Sequence, residues 1–123
     1  MNYQDLQPSE VAALRAEDEL IVFDTRDAAS YAAGHLDGAQ PVSDAALRQL
    51  IQSRQRQRPI LIYCYRGNSS RDVCQLIAGL GFSRVYNLAG GWQGWQRHLQ
   101  SRPAVVSPAL VGGYLQSAWG AVE

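Results

Sequence analysis

Near the middle of the chain, residues 60–70 read Ile60-Leu61-Ile62-Tyr63-Cys64-Tyr65-Arg66-Gly67-Asn68-Ser69-Ser70. The run begins with four apolar residues, bounded by Pro59 and by a polar turn, which is typical of a strand buried on both faces. After the turn, apolar residues return at helical spacing, and Gly81 is placed to end that helix. This stretch therefore predicts a β-strand, a tight loop and an α-helix, in that order.

The flanking sequence continues this alternation of short apolar runs and longer amphipathic segments. We predict further strands at 20–23, 39–42 and 85–88, and helices at 8–16, 27–33, between 43 and 59, and from 90 onward. Asp27 and Ser43 are predicted as helix caps, and Gly34 as a left-handed residue at the end of its helix. Strands and helices in this order indicate an α/β fold, with a mainly parallel sheet covered on both faces.

Composition and charge exclude several classes of protein. The chain has 123 residues, 46% apolar and 18% charged, which indicates a globular domain and not a disordered chain. Eleven basic and eleven acidic side chains give a formal charge of zero, so no broad positive field is available to bind nucleic acid. Every basic residue is an arginine, which excludes Schiff-base chemistry on lysine.

Cysteine usage and hydropathy suggest the cellular compartment in which the protein works. Cys64 and Cys74 are the only thiols, too few for a disulfide scaffold and without the paired spacings of zinc sites. The N-terminus has no basic and apolar regions of a signal peptide, and no apolar run approaches the about 20 residues of a membrane span. We therefore expect a cytoplasmic protein with no membrane span and no metal.

A change in composition divides the chain. We predict one domain over residues 1–101 and a C-terminal extension over residues 102–123, which contains Pro103, Pro108 and a Gly-Gly pair. The apolar residues of the extension suit a short amphipathic helix that packs on the domain or on a partner subunit. Contact with a membrane surface is the weaker alternative.

The position of Cys64 favours a reactive thiol. As the first residue after the strand, it is expected at the carboxyl edge of the sheet, where open α/β sheets bind ligands. A short loop around it directs backbone N–H groups inward, and the next helix adds partial positive charge. Both lower the pKa of the Cys64 thiol and would stabilise an anionic persulfide. Gly67 permits an unusual backbone conformation, and Arg66 offers a cation to an oxyanion.

Other polar residues are interpreted as structural. A free cysteine is often a small buried hydrophobic residue. This is the interpretation for Cys74, which lies within a predicted helix, and it stays an alternative for Cys64. Asp24 and Arg26, near the end of a strand, are predicted to form an ion pair or clamp that supports the rim of the site. His35 is expected to make a fixed hydrogen bond and not to transfer protons.

Three motifs together resemble the rhodanese family of sulfurtransferases, especially its small bacterial single-domain members. The segment CYRGNSS at 64–70 is similar to the family's active-site loop. Upstream, FDTR at 23–26, Tyr31 and GHLDGA at 34–39 resemble its first conserved stretch. Downstream, GGWQGW at 90–95 resembles its closing signature. The motifs follow the family's order, and the likeness covers nearly the whole of the predicted domain.

The resemblance implies a parallel five-stranded rhodanese fold and a two-step sulfur transfer that needs no metal or organic cofactor. Cys64 would be the catalytic residue, taking the sulfane sulfur of thiosulfate, releasing sulfite and becoming a persulfide that cyanide or a thiol acceptor discharges. The substrate-binding residues that it implies are Tyr65, Arg66, Gly67, Asn68, Ser69 and Ser70. One departure is Ser69, where many catalytic members carry a second basic residue, and whether Arg71 reaches the pocket stays open.

Three other functions are considered. Ser69 in place of a second cation motivates a persulfide carrier in a sulfur relay, loaded by a partner protein and weakly active on thiosulfate. Phosphatase and arsenate-reductase loops resemble Cys-x5-Arg, but Ser70 stands at that position and Arg71 comes one residue later. A catalytically inert binding module is disfavoured, because such modules usually lack the cysteine.

Overall fold

The computed structural model describes residues 2–17 and 19–101. The strands in this part of the chain are β1 (Gln4–Leu6), β2 (Ile21–Asp24), β3 (Gln40–Pro41), β4 (Ile60–Tyr63) and β5 (Val85–Leu88). The helices are α1 (Val11–Arg15), which follows a 3₁₀ turn at Pro8–Glu10, α2 (Ala28–Ala33), α3 (Asp44–Ser53), α4 (Ser70–Gly79) and α5 (Gly91–Ser101). The C-terminal extension predicted at 102–123 lies outside the described residues. None of the helices seen here is long and apolar enough to cross a membrane.

The five described strands form one sheet in the order β1-β5-β4-β2-β3, and each neighbouring pair is parallel. Strand β4 lies at the centre, and Ile62 pairs with Phe23 of β2 on one side and with Asn87 of β5 on the other. All residues of β4 are fully buried, as the unbroken apolar run predicts. The predicted α/β class and the five parallel strands are confirmed.

The side chains of β4 alternate between two hydrophobic clusters, because successive residues of a strand point to opposite faces. Leu61 and Tyr63 belong to the cluster that also includes residues of α1 and is covered by the tryptophans of α5. Ile60 and Ile62 belong to the cluster built with α3 and α4. The sheet is therefore covered by helices on both faces, and Cys64 follows directly from its most buried strand.

Helix caps form where the sequence places them. The side chain of Asp27 accepts a hydrogen bond of 2.8 Å from the Ser30 N–H at the start of α2. The hydroxyl oxygen of Ser43 accepts one of 3.0 Å from the Ala46 N–H at the start of α3. Each cap satisfies an N–H that has no partner within its helix.

Two local predictions differ from the structure, and one strand, β1, was missed. Strand β1 lies at the edge of the sheet, and two of its three residues are exposed. Exposed positions do not have to be apolar, so the sequence of β1 has no apolar run that would predict a strand. Strand β3 is reduced to Gln40–Pro41. Gly34 is not left-handed but extended, with φ 167°. A side chain at Gly34 would press on the Trp92 ring, with its Cβ 3.3 Å from an aromatic carbon, so the glycine provides space.

Candidate active site

Cys64 lies at the carboxyl end of the central strand, in the segment that we call the Cys64 loop (residues 64–70). The loop ends on Ser70, the first residue of α4, which has ten residues. The N-terminal turn of this helix places partial positive charge next to the loop. The predicted strand, loop and helix are therefore present in the predicted order.

The sulfur of Cys64 receives a backbone hydrogen bond. The N–H of Gly67 lies 3.0 Å from the Cys64 Sγ, and Gly67 adopts φ 92°, which favours glycine. The cysteine as a whole is 3% exposed. The loop thus curls around the sulfur and presents an amide to it, as the sequence predicts.

Burial and hydrogen bonding act in opposite directions on the acidity of Cys64. Burial alone would raise the pKa of the thiol, but hydrogen bonds from Ser69, Ser70 and Gly67 outweigh it and lower the pKa to about 7. The single hydroxyl proton of Ser70 is donated to the Asn87 side-chain oxygen. The donors available to the sulfur are therefore the Ser69 hydroxyl and the backbone N–H groups of Gly67 and Ser70. Cys64 is therefore more acidic than an ordinary cysteine.

Cys74 is the opposite case. It is fully buried in α4, and burial, reinforced by the charge of Asp5, raises the pKa of its thiol to about 12. Its sulfur lies 3.8 Å from the carbonyl oxygen of Tyr86. The expected burial of Cys74 is confirmed, and Cys64 is the thiol of this pair that ionises near neutrality.

The first turn of α5 holds the start of the Cys64 loop. The N–H of Trp92 donates to the Cys64 carbonyl oxygen over 2.8 Å, and the N–H of Gln93 donates to the Tyr65 carbonyl oxygen over 3.0 Å. Gly91, with φ 59°, brings the helix this close. A Cβ at Gly91 would collide with the Cys64 carbonyl oxygen and lie 2.7 Å from the Gly67 nitrogen.

From the sequence, Gly90 and Gly91 are predicted only to begin a helix, and the contact of Gly91 with the loop is missed. The available signal was two adjacent glycines ahead of a helix, which indicates a close approach of backbones. A second omission is Asn87, which is fully buried on β5. Its signal was an amide side chain within an otherwise apolar strand.

An open pocket of about 230 Å³ lies over the sulfur. Its lining residues are Cys64, Tyr65, Arg66, Asn68 and Ser69. The Tyr65 residue is 49% exposed at its mouth, and the Arg66 guanidinium lies 5.9 Å from the centre of that ring. Four of the six residues predicted to bind substrate therefore surround the pocket.

The other two predicted binding residues, Gly67 and Ser70, are buried beneath the pocket. Gly67 directs its N–H to the sulfur, and Ser70 directs its hydroxyl to Asn87. Arg71 is not among the residues that line the pocket. Its Nε instead donates to the Gly67 carbonyl oxygen over 3.3 Å.

Asp24 and Arg26 form the predicted ion pair, 2.7 Å apart, with side chains that are 0% and 6% exposed. Burial alone would raise the pKa of the Asp24 carboxyl, but hydrogen bonds from Arg26 hold it below its usual value. The guanidinium also donates to the Gly34 carbonyl oxygen over 2.6 Å and lies 4.7 Å from the centre of the Trp92 ring. The pair thus connects β2 to the helix that holds the Cys64 loop.

His35 is held by its neighbour and not by the pocket. Its Nδ1 lies 2.8 Å from the Tyr31 carbonyl oxygen, and its ring stacks on the Tyr31 ring at a centroid distance of 3.9 Å. The expected fixed hydrogen bond is present. Among residues 2–17 and 19–101, no group of three or more His, Cys, Asp and Glu side chains is arranged to hold a metal ion.

Comparison with curated proteins gives a consistent set of relatives. A thiosulfate sulfurtransferase GlpE of Pseudomonas entomophila is 37% identical over 94 residues, which cover 76% of this chain and 85% of the relative. A thiosulfate sulfurtransferase GlpE of Coxiella burnetii is 34% identical over 98 residues, which cover 80% and 92%.

Solved structures show the same fold. The rhodanese-like domain of an Anabaena protein matches with a TM-score of 0.63 and 23% identity, covering 84% of this chain and 86% of that domain. A human single-domain sulfurtransferase matches with a TM-score of 0.61 and 23% identity, covering 80% and 97%. The family model for the rhodanese-like domain matches residues 7–98. The chain therefore belongs to the rhodanese-like domain family.

Proposed function

We propose that the protein is a thiosulfate sulfurtransferase that carries sulfur as a persulfide on Cys64. The observation that carries the proposal is the Gly67 N–H, 3.0 Å from a sulfur whose pKa is lowered to about 7. An activated thiolate at the floor of an open pocket is the nucleophile that this reaction needs. The curated relatives named thiosulfate sulfurtransferase support the choice of donor.

The first step loads the enzyme. The Cys64 thiolate attacks the outer, sulfane sulfur of thiosulfate and forms a new S–S bond. The bond between the two sulfurs of thiosulfate breaks, and its electron pair leaves with sulfite. The charge that was on the thiolate then resides on the outer sulfur of the Cys64 persulfide, so no oxidant, metal or proton is required.

The second step transfers the sulfur from the Cys64 persulfide to an acceptor. A nucleophile, cyanide in an assay or a thiolate acceptor, attacks the outer sulfur of the persulfide. The S–S bond to Cys64 breaks, and its electron pair returns to the cysteine as thiolate. With cyanide the product is thiocyanate, and with a thiolate it is a new persulfide. The loop donors stabilise both anionic forms of residue 64.

The residues of the loop divide into two roles. Arg66 attracts the dianionic donor and the departing sulfite, and Tyr65, Asn68 and Ser69 complete the pocket wall that contacts them. Gly67 and Ser70 hold the sulfur from beneath. Beyond the loop, Asp24 and Arg26 support the site through Gly34 and the ring of Trp92, without contact to substrate.

The test is thiosulfate-dependent formation of thiocyanate by two cysteine variants. Cys64→Ser removes the nucleophile and is expected to abolish the reaction. Cys74→Ser is the matched control, since it removes the buried thiol and leaves Cys64 in place. Turnover by Cys64→Ser at the wild-type rate would refute the proposal.

A persulfide carrier in a sulfur relay is the second candidate. It is favoured by Ser69, which leaves Arg66 as the only cation lining the pocket in the described part of the chain. A carrier would load faster from a protein persulfide than from thiosulfate. The distinguishing measurement is the loading rate with thiosulfate against that with the persulfide of a cysteine desulfurase at equal concentration.

We place this activity in the cytoplasm, because Cys64 and Cys74 are free and a reactive thiol is preserved in a reducing compartment. We also propose that residues 1–101 form the catalytic domain and that residues 102–123 pack on it or on a partner subunit. The match of the family model to residues 7–98 supports this boundary.

A further inference from the structure

Asn87 is a fully buried polar residue that the sulfur-transfer chemistry does not use. It lies on β5, directly beneath the Cys64 loop, where its amide group is almost completely engaged. Its Nδ2 donates to the Gly67 carbonyl oxygen and to the Asp5 carboxylate, each over 3.1 Å. Its Oδ1 accepts from the Ser70 hydroxyl.

These hydrogen bonds join three parts of the chain that are distant in sequence. Asp5 pairs with Asn87 in the register of β1 and β5, Gly67 is the turn of the loop, and Ser70 begins α4. Burial of the Asn87 amide costs little free energy, because the amide group has hydrogen-bond partners. Moving the loop away from Asn87 would leave buried polar groups without hydrogen bonds, which is unfavourable. The network thus fixes the loop relative to the sheet.

Gly67 is held from two sides. Its Cα packs on the backbone that follows β5, since a Cβ there would lie 2.9 Å from the Gly90 nitrogen. Its carbonyl oxygen accepts from Asn87 over 3.1 Å and from Arg71 over 3.3 Å. The Arg71 side chain is 51% exposed, so the buried Asn87 provides the better fixed donor. Anchoring the carbonyl also fixes the direction of the Gly67 N–H.

We propose that Asn87 is a positioning residue that aims the Gly67 N–H at the Cys64 sulfur by holding the Gly67 carbonyl. The proposal deepens the proposed function, because it names the residue that keeps the cradle in place for the thiolate and its persulfide. It also gives the missed edge strand a role, since Asp5 of β1 accepts from the same amide group.

The test is the pH profile of Cys64 alkylation by iodoacetamide, which needs no sulfur transfer. Cys74 is fully buried and its pKa is raised to about 12, so the profile near neutrality reports Cys64. Ser70→Ala is the reference background, because a freed Ser70 hydroxyl could turn to the sulfur and mask the effect. Asn87→Leu in that background removes the donor to Gly67 and keeps the size of the side chain.

The expected result is a rise of about one unit in the alkylation midpoint of Ser70→Ala/Asn87→Leu over Ser70→Ala, and an alkylation rate about fivefold lower at pH 7. Leu50→Ala, at the buried residue of α3, is the control for general destabilisation and should keep the wild-type midpoint. If the leucine variant does not fold, Ser70→Ala/Asn87→Ser is measured instead.

A folded Asn87 variant with an unchanged midpoint would overturn the proposal. An equal rise in Leu50→Ala would also overturn it, because the effect would then come from lost stability. If instead the midpoint rises but thiosulfate does not load wild-type Cys64, the positioning role stands and the proposed function fails. The two ideas are therefore tested separately.

Discussion

The N–H of Trp92 donates to the carbonyl oxygen of Cys64 over 2.8 Å, so the first turn of α5 is bonded to the residue that carries the thiol. This contact exists because Gly91 has no side chain and adopts φ 59°. The loop is consequently held by α5 from one side and by β5 from another, while α4 continues from its end.

Gly91→Ala should separate these elements. Its Cβ would collide with the Cys64 carbonyl oxygen in a backbone conformation that disfavours side chains, so we expect about 3 kcal/mol of lost stability and little sulfur transfer. Gly79→Ala, at the end of α4, is the matched control. A Cβ there meets nothing within 4 Å, and the variant should gain up to about 1 kcal/mol. Urea denaturation measures the free energy of unfolding of both variants. Equal changes in the two variants would show that the close contact of Gly91 with the loop does not matter for stability.

The lowered pKa of Cys64 predicts a stability that depends on pH. The folded thiol has a pKa of about 7 and the unfolded one the ordinary value of 9.0, so between them the unfolded chain binds more protons. The free energy of unfolding should therefore rise from pH 7 to 9, by roughly 2 kcal/mol. Cys64→Ser should lack this increment. A wild-type curve that parallels the variant over this range would contradict the lowered pKa.

Arg66 is predicted to affect the binding of the sulfur donor and not the stability of the fold. Arg66→Ala should slow loading by thiosulfate about tenfold, the effect of losing one hydrogen bond to a charged group. Arg66→Lys should fall between, since it keeps the charge without the planar fork. Arg48→Ala, on the exposed face of α3, changes the net charge equally and should load like wild type. The measurement is the rate of loading by thiosulfate in a stopped-flow experiment. Equal rates for Arg66→Ala and Arg48→Ala would show that Arg66 does not bind the donor.

Removal of Arg26 should destabilise the fold, because its partner Asp24 is buried. Arg26→Leu leaves the Asp24 carboxylate buried and unpaired, so we expect a loss of about 3 kcal/mol. The Arg84–Glu17 pair has a similar distance of 2.7 Å but side chains that are 35% and 47% exposed. Glu17→Ala should therefore cost much less stability than Arg26→Leu. Similar losses in the two variants would show that Arg26 does not support the site.

Much of the fold could be predicted because β4 is buried on both faces. An unbroken apolar run has few other structures available, and the residue after it must lie at the edge of a parallel sheet. That reasoning placed Cys64, its loop and α4 from the residues alone. The same physics explains the failure at β1, whose Gln4 and Asp5 are exposed at the sheet edge and carry no hydrophobic pattern.

The roles of Asn87 and Gly34 could not be predicted, because they depend on contacts between segments far apart in sequence. Asn87 lies 20 residues from Gly67 and 82 from Asp5, and nothing local to β5 reveals those partners. Glycine is a common residue at the end of a helix, but position 34 requires glycine because the Trp92 ring packs against it. Local pattern identifies the proposed nucleophile, and tertiary contact identifies the residues that we propose to position it.

We propose that Cys64 holds sulfur as a stable persulfide anion. The most direct measurement is the intact mass of the protein after incubation with thiosulfate, before and after addition of cyanide. We expect the wild type to gain the mass of one sulfur atom, cyanide to remove it, and Cys64→Ser never to acquire it. An unchanged mass in the wild type, or the same gain in Cys64→Ser, would contradict it.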